Sequence, residues 1–307
     1  MRGLMPFDCF DECDQGRRQA LRNLSFLAAA VCVTSPAAWA VSKSAAPQRI
    51  VSIGGALTEI IWTLGAGTDL VGVDTTSLYP AAVTKLPSVG YARSLSSEGI
   101  LALAPTQVVA TEDAGPPAVL RQISSVGVPV SILAANHRFE GVLERVSRMG
   151  SLLERAAQAS QLASTLRNDW QRVRQSIVTR EGGSPRVLFV LSHSPNQVMV
   201  GGKNSSAAAM IEYASASNAV QEFDGFKPLT PEAVIAAKPD IVLLTDQGLR
   251  AIGGIDGALK LPGLSQTPAG QKRRVIALEA MFMLGFGPRL PAAVSALNAA
   301  ISRAMKA

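Results

Sequence analysis

The chain has 307 residues, 48% of them hydrophobic and 17% charged, with 29 basic against 23 acidic side chains and a net charge of +6. That length suits two lobes of ordinary domain size. The basic residues are scattered, without an arginine-rich helix or interleaved aromatics, which argues against nucleic acid and suits a small anionic ligand bearing carboxylates.

Residues 1–40 read as a cleaved secretory signal: Arg17, Arg18 and Arg22, the apolar run Leu24 to Val33, then Ala38-Trp39-Ala40 as a small-x-small cleavage site. Asp8, Asp11, Glu12 and Asp14 are unusual in a signal n-region, so translation is expected to start at Met5 or later. The mature chain then begins near Val41, with a short tail to residue 48. Cys9, Cys13 and Cys32 all precede the cut, which leaves the mature chain without a disulfide or a thiolate metal site. Val31 stands before Cys32, where a lipoprotein signal wants a small residue, so lipidation is not expected. The run is too short to span a membrane, and no later stretch approaches about 20 uninterrupted apolar residues. A soluble product in the periplasm is the expectation.

The first lobe is expected over residues 49–153. Arg49 to Ile53 is a buried-strand run, followed by Gly54-Gly55 and a helix with Leu57, Ile60, Ile61 and Leu64 at helical spacing. Gly54-Gly55 lacks the spacing and acidic partner of a dinucleotide cradle and reads as a close turn at the mouth of a sheet. Leu70 to Val73 is a second strand. Further on, Pro87 and Gly90 punctuate the chain, and Ser96 with Glu98 reads as a helix N-terminus. Tyr91 therefore sits on a loop projecting from the lobe, and Arg93 is within reach to hydrogen-bond its oxygen and favour phenolate, a hard anionic ligand for ferric iron. The residues alone leave two readings, a ligand or an interfacial tyrosine without one.

A repeat spans both lobes. Ser94 to Thr111 aligns without gaps onto Pro228 to Thr245, with Leu95, Glu98, Ala102, Pro105, Val108 and Thr111 recurring as Leu229, Glu232, Ala236, Pro239, Val242 and Thr245. Each copy reads as a capped helix ending near a proline and feeding a strand, with Thr230 as N-cap and Pro231 at the first helical position. Residues 154–182 form the connector, whose helix from Arg155 to about Thr179 would span roughly 38 Å at 1.5 Å per residue. The second lobe covers residues 183–307 and opens with Arg186 to Val190. The fold class expected is α/β: two Rossmann-like lobes with largely parallel sheets joined by one long helix. A single helical connector argues against wide hinge closure.

The stretch Leu86 to Leu101, with its Gly-Tyr-x-Arg-x-Leu-Ser-x-Glu-Gly core, resembles the haem-binding branch of the ABC-transporter substrate-binding proteins that have two lobes on one long helix. Vitamin B12- and siderophore-binding proteins belong to the same cluster. Val200 to Ser205 and Leu284 to Arg289 extend the resemblance across the mature chain. It implies that Tyr91 is the axial ligand of haem iron, that Arg93 hydrogen-bonds it, and that Glu98 and Glu232 pair with arginines of the membrane permease, one per lobe. It further implies ferric haem b as cargo, an inner-membrane permease with its ATPase as partner, an outer-membrane haem receptor upstream, and a monomer. Some members use a second-lobe histidine, to which His193 at a strand end corresponds.

Other candidates carry weaker signals. His137 reads as a loop or capping residue, Tyr79 before Pro80 as a turn former, and Tyr213 as core. Met199, Met281, Phe282 and Met283 are apolar residues suited to a porphyrin face or to the core. Arg289 is a candidate partner for a propionate. Two histidines and no cysteine make a zinc or manganese site hard to build. Ser52 and Ser192-His193 lack a nucleophile elbow, so no enzyme is expected. The alternative ligand is a siderophore or cobalamin in the same frame.

Overall fold

The computed structural model describes residues 48–177, 183–194, 197–228 and 230–306. The expected signal segment, residues 41–47 and all three cysteines lie outside them.

In chain order the elements are β1 (Ile50–Ile53), α1 (Gly55–Thr63), β2 (Leu70–Val73), α2 (Ser97–Leu101), β3 (Gln107–Thr111), α3 (Pro117–Ser125), β4 (Val130–Leu133), α4 (Phe139–Leu152) and α5 (Ala156–Ser176). Then come β5 (Arg186–Ser194), β6 (Gln197–Gly201), α6 (Ser206–Tyr213), β7 (Ser217–Asn218), β8 (Phe226–Pro228), α7 (Pro231–Ala237) and β9 (Ile241–Thr245). They are followed by α8 (Asp246–Ala251), α9 (Gly254–Leu259), α10 (Pro268–Gln271), β10 (Val275–Leu278), α11 (Ala280–Leu284) and α12 (Leu290–Lys306).

Two sheets result. The first is wholly parallel, ordered β2-β1-β3-β4. The second is ordered β10-β9-β5-β6-β8, with β10, β9 and β5 parallel, β6 and β8 running antiparallel at one edge, and β7 paired with β5. The α/β class with largely parallel sheets is therefore as the sequence suggests. Under the alignment of the internal repeat, β3 and β9 coincide residue for residue, and α2 and α7 begin at equivalent positions. Ser96 and Thr230 cap these helices, their hydroxyl oxygens accepting from the Gly99 and Ala233 amides.

The connector helix α5 ends at Ser176, three residues short of the expected end, and Ile177 already has extended backbone. The sequence there is Ile177-Val178-Thr179, and branching at Cβ costs each side chain rotamer freedom in a helix. Its 21 residues still reach roughly 32 Å.

Strand alternation explains how the lobes cohere. Ile50 of β1, Val109 of β3, Val187 and Phe189 of β5, and Ile241 and Leu243 of β9 all point into one buried cluster with α1, α4, α5, α6 and α12. Their neighbours on the other faces, Val51, Ile53, Val108 and Ala110 in one lobe and Leu188, Val190, Val242 and Leu244 in the other, fill two separate outer clusters. One apolar layer is thus common to both sheets. Phe139 stacks on Trp170 at 4.7 Å, Trp170 meets Tyr213 edge-on at 4.7 Å, and the Phe139 amide donates to the Tyr213 hydroxyl at 3.0 Å.

Arg145 on α4 is a polar strut through this layer. It is 5% exposed, and its guanidinium donates to the carbonyls of Ala134 (2.9 Å) and Asn136 (3.3 Å) in its own lobe and Phe286 (2.7 Å) in the other. Removing it strands buried acceptors that water cannot reach, at about 1–3 kcal/mol each. Arg145→Ala is expected to lower stability by about 2–4 kcal/mol in urea unfolding. The exposed neighbour variant Arg148→Ala should stay within about 0.5 kcal/mol of wild type.

Candidate functional site

All four strands of the first sheet are parallel, so their carboxyl ends share one edge, and the loops after them meet the second lobe there. The second lobe makes the contact through residues 281–289. Met281 lies against Gly55, Gly287 against Ala56, and Phe286 meets His137 edge-on at 5.3 Å.

The turn at this junction is Gly54-Gly55. Gly54 has φ +118°, and a Cβ there would meet the Thr111 side chain at 2.7 Å, so only glycine fits. Buried Asp74 accepts from the Gly54 amide (2.9 Å), the Ser77 hydroxyl (2.8 Å) and the Thr76 amide (3.0 Å) and hydroxyl (2.6 Å). The Thr76 hydroxyl in turn accepts from the Gly55 amide at 3.0 Å. Both glycine amides are therefore committed, which agrees with a close turn and leaves no open phosphate cradle.

Glu59 and Arg289 join the lobes. Arg289 donates from its Nε to Glu59 at 2.9 Å and from its amide at 3.2 Å, and its guanidinium lies 3.9 Å from the centre of the Tyr79 ring and 5.2 Å from that of Phe282. A second carboxylate, Glu279, stands 3.9 Å from it. Arg289, read from the sequence as a propionate partner, is thus already engaged in a cross-lobe pair. Tyr79 is 48% exposed and takes part in this contact between the lobes as well as in its turn. Burial pushes the Glu59 carboxyl above its usual value, and the charge and hydrogen bonds of Arg289 pull the other way.

Tyr91 stands on a pinned loop. The Thr75 amide donates to Gly90 (3.0 Å), the Gly115 amide to Ala92 (2.8 Å), the Leu95 amide to Gly115 (3.0 Å) and the Ser94 amide to Tyr91 itself (2.8 Å). Ala92 and Leu95 are buried beneath, while the Tyr91 side chain is held out, with the residue 47% exposed. This is the projecting tyrosine that the loop signals suggest. Arg93 is placed differently from expectation: its Nε and a terminal nitrogen both donate to Oδ2 of Asp113, at 3.1 and 2.7 Å, and among the described residues it makes no hydrogen bond to the phenol. Its charge nevertheless lies within electrostatic reach of Tyr91. The pairing has a simple cause, since Asp113 follows β3 on the very loop to which residues 92–95 are stitched.

Among the remaining candidates, Glu98 and Glu232 are exposed in the first turns of α2 and α7. His137 sits in the loop before α4, and burial followed by the charge of Arg145 lowers its pKa. Tyr213 and Met283 pack into the shared layer, and Phe282 lies partly buried beside Arg289. Met199 is partly buried on β6, opposite Leu191 and Pro228. The side chain of His193 lies outside the described residues, although its backbone belongs to β5. Asp113, Glu59, Asp74 and Tyr79 were not singled out from the sequence as site residues. The position of Asp113 just beyond a parallel strand was the available signal, as was that of Glu59 within an apolar helix.

Two α/β lobes with largely parallel sheets, joined by one long helix, are the architecture of a two-lobed binding protein. A model of the periplasmic binding protein family matches residues 50–281, and the chain belongs to that family. It is similar to the periplasmic heme-binding protein BhuT, solved in complex with two hemes, at 44% identity and a TM-score of 0.80, covering 84% of this chain and 99% of that one. Similar too is the periplasmic heme-binding protein RhuT from Roseiflexus sp. RS-1, in apo form, at 40% identity and a TM-score of 0.81 over 84% and 99% of the two chains. The uncharacterized ABC transporter substrate-binding lipoprotein YvrC of Bacillus subtilis (strain 168) is 26% identical over 257 residues, 83% of this chain and 80% of that protein.

The Glu59–Arg289 pair makes a pH prediction. Without Arg289, Glu59 is a buried, unpaired carboxylate whose folded pKa rises further above its unfolded one; stability is then lost as pH climbs through the unfolded value, near 4.5. Arg289→Met is expected to cost about 2–4 kcal/mol at pH near 7.5, and less at pH near 4. Thermal melts at both pH values, with Glu59→Gln/Arg289→Met as the rescuing double variant, check it.

Proposed function

We propose that this chain is the periplasmic substrate-binding component of an ABC haem-uptake transporter, taking ferric haem b into the interlobe crevice through Tyr91 as axial ligand. The observation that carries the reading is the pinned, half-exposed Tyr91 with a guanidinium in electrostatic reach, on a chain 44% and 40% identical to heme-binding proteins over most of its length. A phenolate is a hard ligand suited to ferric iron, and a neighbouring cation favours the phenolate over the phenol. The excess of basic residues suits an anionic porphyrin carboxylate pair. Arg93 is the supporting cation, and His193 is the candidate contact from the second lobe. Secretion through the signal at residues 1–40, supply by an outer-membrane receptor, and action as a monomer complete the reading.

Titration of the purified mature protein with hemin is expected to give a saturable Soret change and ferric-tyrosinate charge-transfer bands. Tyr91→Ala should lose those bands and bind at least about tenfold more weakly, about 1.4 kcal/mol. The equivalence point gives the number of haems, and His193→Ala tests the second lobe. Absence of a saturable change in wild type would move the reading to a siderophore or cobalamin.

Delivery is assigned to Glu98 and Glu232. Their equivalent positions in the repeat, their exposure and their separation onto two lobes support one contact each to a permease. In proteoliposomes holding the permease and ATPase, Glu98→Ala/Glu232→Ala is expected to reduce stimulated ATP hydrolysis about tenfold, two exposed ion pairs at about 0.5–1 kcal/mol each. Hemin titration of the same variant should be unchanged.

A further inference from the structure

Basic residues that are scattered along the sequence come together in the fold at one end of the second lobe. Parallel strands β5, β9 and β10 lie side by side, with Val187 level with Ile241 and Val242 with Val275, so their amino ends share one edge of the sheet. Arg186 opens β5, Lys238 stands before β9, and Lys272, Arg273 and Arg274 lead directly into β10. The Arg186 amide donates to Asp240 at 2.9 Å, and the Ala269 amide to the Pro239 carbonyl at 2.9 Å, which sets Lys238 beside the turn that carries Lys272. Arg273 donates to Asp256 on α9 at 2.6 Å, and Lys260 follows the end of that helix. Arg274 donates to the Met305 carbonyl at 3.2 Å, which brings in Arg303 and Lys306 from the last turn of α12.

This edge therefore holds eight cations against two carboxylates, Asp240 and Asp256, and the excess of six equals the net charge of the whole chain. Other acids on the flanking helices lie elsewhere: Glu232 and Lys238 mark opposite ends of α7, and Glu212 lines a separate recess with Arg138. The fold does not require the charge. Under the internal repeat Lys238 corresponds to Ala104, and both have positive φ, +41° and +45°, so the turn before the proline accepts an alanine. At the amino edge of the first sheet, Arg49 instead gives its guanidinium to the carbonyls of Ala104 and Leu103, at 2.9 and 2.7 Å. Lys238, Lys260, Lys272 and Lys306 are exposed, and among the described residues none makes a hydrogen bond or an ion pair. Beside Asp256 in the chain, Ile255 is 43% exposed.

Lysines on flexible stems, spread along an edge, suit a surface of repeated anions better than one small ligand. An exposed aliphatic side chain among them suits an apolar layer just beneath that surface. We propose that this end of the second lobe is a docking surface for an anionic phospholipid bilayer, with the lysines against the headgroups and Ile255 at the acyl boundary. The surface is separate from the contacts assigned to Glu98 and Glu232, and it stands whether or not the cargo is haem.

Flotation of the purified mature protein with vesicles tests it. At low ionic strength wild type is expected to float with phosphatidylcholine vesicles that contain phosphatidylglycerol and not with phosphatidylcholine alone. Added salt should release it, because screening at physiological ionic strength confines the attraction to about 8 Å. Lys238→Gln/Lys260→Gln/Lys272→Gln/Lys306→Gln should bind at least about a hundredfold more weakly, each cation near a charged surface contributing a factor of about five. Lys85→Gln/Arg121→Gln/Arg148→Gln/Arg167→Gln removes the same charge from exposed positions on the first lobe and the connector and should retain most of the binding. Equal losses in the two variants would mean that net charge alone is at work, and overturn the surface. Wild type that stays soluble beside the anionic vesicles at low salt overturns it without any variant. Wild type that binds soluble polyglutamate but not the vesicles overturns the lipid assignment and gives the edge to an acidic protein.

Discussion

The structure depends on a single apolar layer that both sheets share. Alternate residues of β1, β3, β5 and β9 face into it from two directions, and α1, α4, α5, α6 and α12 fill the space between. Burying a large aliphatic side chain contributes about 1.5–3 kcal/mol, so parting the lobes would expose residues such as Phe139, Met283 and Leu297 at a cost of several kcal/mol. The two lobes therefore hold one another in place through this layer. Polar struts sharpen this constraint, since Arg145 and Arg289 each bond across the lobes, to the Phe286 carbonyl and to Glu59.

Tyr91 is exposed, but it is not mobile in the sense of a free loop residue: backbone bonds to Thr75 and Gly115 fix the chain on either side, and buried Ala92 and Leu95 anchor it from below. On the function proposed above, a backbone pinned in this way would lose little conformational entropy when the phenol met a ligand. One loop away, the Asp74 network ties Gly54, Gly55, Thr76 and Ser77 together.

Much of this was legible in the sequence because local chemistry determines it. The internal repeat foretold two equivalent helix-to-strand units, and the cap residues Ser96 and Thr230 begin their helices as their hydroxyls suggest. Tyr91 was legible for the same reason, since Gly90 and the cap at Ser96 leave it nowhere but a loop. What the sequence concealed is contact between residues far apart in the chain. Arg93 and Asp113 are separated by 20 positions and Glu59 and Arg289 by 230, and no periodicity connects either pair. Proximity along the chain favoured Tyr91 as the partner of Arg93; the stitching of two loops through Gly115 gave the fork to Asp113 instead. The overlong connector helix has a different origin, because a run without glycine or proline reads as helix until the branched residues at its end are weighed.

A rigid carrier meets a problem that a hinged one does not. When lobes close around a cargo, opening them releases it; when the lobes share a core, the free energy holding the cargo must already be modest, or a partner must alter the site. On the function proposed above, such a partner would meet Glu98 and Glu232, which lie on different lobes at the starts of short helices. Glu98 is the nearer of the two to Tyr91 along the chain, because α2 begins six residues after Tyr91, so that a contact there falls beside the pinned loop.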